Sequence, residues 1–225
     1  MALSPKETCY HDLERRILAT ELAPGEDLDE AGLCQAYGIS RTPLREVLQR
    51  MAGDGLVTLA PNRGAKVASM DLQTMRTFFQ TAPMVYSSIA RLAAENRTEA
   101  QLAALRVAQD EFMAAKSPRE AAFANHRFHA QIGEMAANPY LLAALSRLLI
   151  DHTRLSQTFY SPLSDTEREL VALATEQHEM MFDAIARRDA DAAVEVTLKH
   201  WDLSRDRIER YVRPDPLPLE FSDAV

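Results

Sequence analysis

Six of the seven glycines, Gly25, Gly32, Gly38, Gly53, Gly55 and Gly64, fall before residue 65, and only Gly133 follows. Glycine marks turns and element ends and weakens helix interiors. A chain divided this way builds short elements at its front and is free to run long helices behind them. The break near Met70-Asp71 separates a front segment, 1–70, from a back segment, 71–225. A length of 225 residues supports one or two domains.

In the front segment, Pro5 to Ala19 carries Leu13, Ile17 and Leu18 in a helical stripe that Pro24-Gly25 breaks. A second short helix covers about Asp29 to Tyr37 and closes at Gly38. The third starts in Ser40-Arg41-Thr42-Pro43, where proline suits the first turn and Ser40 or Thr42 can cap. It runs to about Ala52, with Leu44, Val47, Leu48 and Met51 at i, i+3, i+4 and i+7. Gly55 to Leu59 reads as a strand, Pro61-Asn62-Arg63-Gly64 as a turn and Ala65 to Ala68 as a return strand. Helices hinged at a glycine, a third helix with a polar face and then a hairpin predict a winged helix-turn-helix. Arg41, Thr42, Arg45 and Gln49 share the outer face of the third helix. A guanidinium fork grips guanine or phosphate, and Gln or Thr reads a base edge. At the hairpin tip, Arg63-Gly64 can approach a phosphate or groove closely.

The whole chain carries a net charge of −8, which argues mildly against a nucleic-acid partner. Local charge reverses that argument. Residues 40–67 hold five basic and two acidic side chains, a net +3, and the remainder carries −11. Small helical domains with a solvated charged face show the same pattern without binding DNA.

Residues 25–67 resemble the winged helix of GntR-type bacterial transcription regulators. The likeness lies in Pro24-Gly25, Leu28, Glu30, Leu33, the run Tyr37-Gly38-Ile39-Ser40-Arg41-Thr42-Pro43-Leu44-Arg45-Glu46, Leu48, Gly55-Leu56-Val57, Pro61, Arg63-Gly64 and Val67. The resemblance implies that Arg41, Thr42 and Arg45 enter the major groove while the wing at Arg63-Gly64 touches the adjacent groove. The DNA-contacting set expected is therefore Ser40, Arg41, Thr42, Arg45, Gln49, Arg63 and Gly64. A homodimer on a palindromic operator follows, since helix-turn-helix dimers contact half-sites about one helical turn apart. Some family members carry an arginine on the second helix where this chain has Ala31, so an operator sequence does not transfer.

Behind the break, six helical segments are expected at about 71–95, 98–115, 118–136, 139–159, 164–188 and 190–212, an all-helical antiparallel bundle of six to seven helices. The chain is thus mainly α. Pro83 should kink the first of these helices, and the proline-rich tail from Pro214 reads as irregular. Asn125 and His129 are four apart on an apolar face with Ala122, Phe128 and Ile132. His178 lies among Val171, Ala174, Met181, Phe182 and Ile185, and His200 among Ala193, Val196, Thr197 and Ser204. Three inward histidines and an amide could converge on one divalent cation, with zinc first and nickel, iron or manganese as alternatives. Three imidazoles leave positions open for water or a ligand oxygen. Taken singly, each histidine is also compatible with a satisfied core residue. His126 falls at the edge of the face and is not expected to ligate; His11 and His152 read as surface or packing residues. Met135, Met180, Met181 and Phe182 read as core.

Residues 71–212 also resemble the all-helical effector domain of the FadR branch, called FCD. The features are Phe128-His129 with Asn138-Pro139, Glu176-Gln177-His178 with Ala184-Ile185, and Asp189 with His200. In metal-binding members the positions matching Asn125, His129, His178 and His200 hold a divalent metal that helps bind a small carboxylate effector. Asn125 stands where an aspartate is commoner, which weakens the ligand and favours an anionic effector. An arginine common on the first helix, and a glutamate four residues later, are replaced by Ala82 and Tyr86. Tyr86 and Arg154 are then the residues available to meet the effector, each equally readable as a packing phenol or a salt bridge.

The expected function is a sequence-specific transcriptional regulator, a repressor, controlled by a carboxylate at a metal. Other readings are a regulator that senses metal alone, a dimerising domain with structural histidines, and a three-histidine metal enzyme. The last lacks H-E-x-x-H, G-x-S-x-G and a phosphate loop. Cys9 and Cys34 cannot build a disulfide framework, so a reducing, cytoplasmic compartment is expected. No apolar run reaches the ~18 residues of a membrane span, and the first residues lack an apolar signal core.

Overall fold

A computed structural model describes residues 3–60 and 64–212, with side chains to residue 203. The front begins with α1 (Pro5–Leu18), α2 (Glu30–Tyr37) and α3 (Arg41–Asp54). A two-stranded antiparallel wing follows, β1 (Val57–Ala60) and β2 (Gly64–Val67), with Val57 opposite Val67 and Ala60 opposite Gly64. Then come α4 (Leu72–Asn96), α5 (Glu99–Met113), α6 (Pro118–Met135), α7 (Pro139–Phe159), α8 (Asp165–Ala186) and α9 (Ala190–Val212). The mainly helical class and the winged helix before a six-helix bundle are as the sequence led us to expect. The Pro61-Asn62-Arg63 tip and the tail from Pro214 lie outside the described residues.

Local chemistry explains the element ends. Asp29, Asp71, Thr98, Ser117, Asn138 and Ser164 each cap a helix by accepting a first-turn N–H, and Thr98 and Gln101 complete a capping box. Gly38 ends α2 at φ 63°, the left-handed geometry that glycine adopts without steric cost. Gly55 ends α3 at φ 85°, so α3 extends to Asp54 and the strand begins only at Val57. A Cβ at Gly55 would also lie 2.3 Å from Nε of Arg147 on α7. Ser40 holds the N-cap position of α3 but makes no side-chain cap bond. Pro83 lies inside α4, which continues through it to Asn96.

One core fills the helix-turn-helix with Leu13, Ile17, Leu44, Leu48, Met51, Leu56 and Val67, and it also takes in Ile150 from α7. Burying each such side chain contributes roughly 1.5–3 kcal/mol. A larger core joins α4, α5, α6, α7, α8 and α9 around Ile89, Phe128, Met135, Leu145, Met181, Ile185 and Trp201. Helix α4 lies along α9, α6 along α5 and α7, and α8 along α9. Helix α7 therefore touches both cores, its Ile150 side facing the reader and its Leu145 and Leu149 facing the bundle.

Candidate DNA-reading face and histidine centre

The amphipathic pattern of α3 sorts its side chains cleanly. Leu44, Val47, Leu48 and Met51 are buried, while Ser40, Arg41, Thr42, Arg45 and Gln49 are exposed. Arg45, Gln49 and Gly64 meet in one groove of about 410 Å³ between α3 and the wing, with Glu30 and Leu59 on its walls. Arg63 lies outside the described residues. The local positive charge is used unevenly. Arg50 pairs with Glu7 at 3.2 Å and sits 3.9 Å over the Tyr10 ring, and Lys66 pairs with Asp27 at 3.0 Å. Lys6 pairs with Glu46. Arg41 and Arg45 pair with no carboxylate among the described residues, so they are the cations of this face that remain available to phosphate or base.

In the bundle, α6, α8 and α9 bring His129, His178 and His200 together, with one ring nitrogen from each within 4.8 Å of the others. All three are buried. Nε2 of His129 and both ring nitrogens of His178 have no hydrogen-bond partner among the described residues. A buried polar atom left without a partner costs free energy, so these ring nitrogens are free to accept a bound ion. Nδ1 of His200 donates to Gln177 Oε1 at 3.1 Å, which leaves Nε2 as the lone-pair nitrogen. Burial pushes all of these imidazoles toward the neutral form, His200 down to about 4 and His129 and His178 well below their ordinary value. Neutral imidazole is the form that binds a metal. The nitrogen donors, their convergence and their missing partners fit a divalent ion of the zinc, nickel or iron kind.

Asn125 is buried one turn before His129. Its Oδ1 accepts from the Tyr160 hydroxyl at 3.0 Å, and its Nδ2 faces Ser156 Oγ at 3.4 Å. Tyr86 reaches the same cluster. Its ring lies 5.3 Å from that of His129, and its hydroxyl is hydrogen-bonded to His152 Nδ1 at 2.9 Å. His152 is the residue sequence reasoning missed. It is buried, 5.0 Å from the His129 ring and 5.1 Å from Trp201. The signal was present, because Leu145, Leu149, His152, Ser156 and Phe159 follow the helical period along the buried side of α7. His126 lies outside the three-histidine cluster and is hydrogen-bonded through Nδ1 to Thr153 Oγ1 at 2.7 Å.

Arg154 faces elsewhere. Two positions beyond His152 on a helix is about 200° of rotation, which turns the guanidinium toward the front domain. It pairs with Asp151 at 3.1 Å and donates to the Ala68 carbonyl, at the end of the wing, at 2.8 Å. Burial pulls its pKa down and Asp151 pulls the other way. Asp151 also meets Arg147 at 3.3 Å, the side chain lying over Gly55. Gln157 donates to the Leu18 carbonyl at 3.1 Å. One helix thus carries His152 and Ser156 on its inner side and the clamp on the reader on its outer side.

Comparison with known proteins agrees with this architecture. Residues 84–203 match the FCD domain model, and residues 5–67 match the model for bacterial regulatory proteins, gntR family. The galactonate operon transcriptional repressor of Escherichia coli strain K12 is 26% identical over 225 aligned residues, covering 88% of this chain and 94% of its own. The Nta operon transcriptional regulator of Aminobacter aminovorans is 26% identical over 193 residues, covering 84% and 88%. Among solved structures, E. coli McbR/YncC has a TM-score of 0.78 at 20% identity, over 94% of this chain and 100% of that one. A GntR regulator from Rhodococcus sp. RHA1 has a TM-score of 0.72 at 17% identity, over 92% and 98%. These two show a shared fold. With an FCD match across more than half its length, behind a gntR-type reader, the chain belongs to the GntR family of bacterial transcriptional regulators, in the FCD-containing branch, and is not an enzyme.

Proposed function

We propose that residues 1–70 read a palindromic operator as part of a homodimer, and that residues 71–225 control this reading through a divalent metal and a small carboxylate. Ser40, Arg41, Thr42, Arg45, Gln49, Arg63 and Gly64 form the DNA-contacting set. His129, His178 and His200 hold the metal, zinc in the first instance, beside Asn125, and Tyr86 meets the effector. The convergence of three buried ring nitrogens within 4.8 Å, several lacking a partner, carries the reading. The naming of a relative for galactonate, a hydroxy acid, agrees with a carboxylate. Repression is the sense of regulation, in line with relatives named as repressors.

Helix α7 supplies the route. A ligand that moves His152 or Ser156 also moves the Arg154–Asp151 clamp on Ala68 and the Ile150 contact with the reader core. By linkage, the effector weakens operator binding only as far as it favours the DNA-free arrangement. The test is operator affinity by fluorescence anisotropy, using a site selected from random DNA, with zinc alone and with zinc plus a panel of small carboxylates. A carboxylate that changes affinity only with zinc present supports the reading. Zinc acting alone would favour a metal sensor. No response to any combination, in protein that still binds its operator, overturns ligand control.

A further inference from the structure

We propose that the metal and the anion each strengthen the other's binding at this site, because none of the described residues grouped there supplies a negative charge. The inference rests on the metal reading above and concerns how that site is regulated. Among the described residues, the metal-competent cluster contains His129, His178 and His200 and no carboxylate or thiolate. The other polar groups beside it are neutral as well: the Asn125 amide, the hydroxyls of Tyr160, Ser156 and Tyr86, the His152 imidazole and the Gln177 amide. Two carboxylates that adjoin buried histidines in sequence are engaged elsewhere. Glu179, next to His178, turns to Arg106 at 2.9 Å and Gln109 at 3.0 Å. Asp151, next to His152, turns to Arg154 and Arg147. The remaining wall is aromatic, with Phe128 stacked 4.3 Å from His178, Phe112 at 4.7 Å from the same ring, and Trp201 beside His152.

A divalent ion held by three neutral imidazoles in such surroundings keeps its double charge until an anion fills the position they leave open. Isolated buried charge is strongly unfavourable, and a bound counter-charge relieves it. An anion arriving alone meets the same penalty with opposite sign. Each therefore raises the affinity for the other, and the two factors are equal by linkage. The regulator then responds to metal and carboxylate together at concentrations where either alone binds weakly. Asn125, the amide beside His129, sets this behaviour. A carboxylate in its place would supply the missing charge and free the metal from the anion.

The experiment is competition for zinc against a chromophoric chelator, on the full-length protein at constant pH in perchlorate rather than chloride, with and without acetate as the probe anion. Wild type is expected to bind zinc about 10- to 100-fold more tightly with saturating acetate, the ordinary range of coupling between sites. Asn125→Asp is expected to bind zinc tightly without acetate and to lose most of the acetate effect. Should that variant fail to fold, Ser156→Asp places the charge one side chain away and is expected to act alike. Tight zinc binding by wild type that ignores acetate overturns the pairing while leaving the metal site standing. Failure of wild type and both aspartate variants to bind zinc under any condition overturns the metal reading itself.

Discussion

Replacing Arg154 by Met removes the cation that ties α7 to the front domain. Its side chain is fully buried, and that of its partner Asp151 is 6% exposed. Without the guanidinium, Asp151 keeps only Arg147, which is 45% exposed and 3.3 Å away, and the Ala68 carbonyl loses its donor. Breaking a buried ion pair from one side costs about 3–5 kcal/mol, chiefly through the stranded charge. Arg147 moderates the penalty, so about 3 kcal/mol is expected. For a protein of this size that lowers Tm by roughly 6–12 °C, at about 2–4 °C per kcal/mol. Differential scanning calorimetry and urea unfolding would read the change. Because the stranded charge is the main cost, Arg154→Met combined with Asp151→Leu should lose less than Arg154→Met alone. Zinc uptake should persist in both, since the guanidinium faces the reader. A single variant within about 0.5 kcal/mol of wild type, the range of an ordinary surface change, would refute the clamp. So would a double variant weaker than the single.

Arg45→Ala should weaken operator binding by roughly 1–3 kcal/mol if the fork reads a base, and unchanged affinity in an anisotropy titration would remove it from the reading set. His178→Ala should lower zinc content by mass spectrometry and also abolish the rise in Tm that zinc and acetate give wild type, because a ligand bound only to the folded state stabilises it. Metal-free protein should lose stability in acid. His152 titrates at about 3 and His200 at about 4 when folded, both below the ordinary 6.5, so the unfolded chain binds protons first. Their contribution is complete above pH 6.5 and is lost as pH falls toward those folded values, which urea midpoints across that range would show. A midpoint independent of pH over that window would contradict the buried neutral imidazoles.

Much of this architecture was legible because it depends on local chemistry. The i, i+3, i+4 spacing of Leu44, Val47 and Leu48 identifies the buried side of α3, and it leaves Arg41 and Arg45 outside whatever packs against them. The bundle limits expected at about 98–115 and 139–159 fall close to the observed Glu99–Met113 and Pro139–Phe159, whose starts Thr98 and Asn138 cap. What pairs across long separations was not legible. Counting charges over residues 40–67 treated Arg50 and Lys66 as free, yet Glu7 and Asp27 neutralise them from outside that window. His152 looked partnerless because Tyr86 is 66 positions away. Arg154 suited an anion in sequence, yet its side of α7 packs on the reader, a placement that only tertiary geometry decides. The neutrality of the histidine cluster is likewise a three-dimensional property, since Glu179 and Asp151 adjoin its members in sequence but point away.

Metal control requires that His129, His178 and His200 hold a divalent ion. Anomalous diffraction above and below the zinc edge, from crystals grown with zinc and acetate, tests it most directly. The expected result is one zinc peak per chain lying between the three rings, with density for a carboxylate beside it. A map with no anomalous peak among those rings, or with zinc only at surface sites, would overturn the three-histidine metal site.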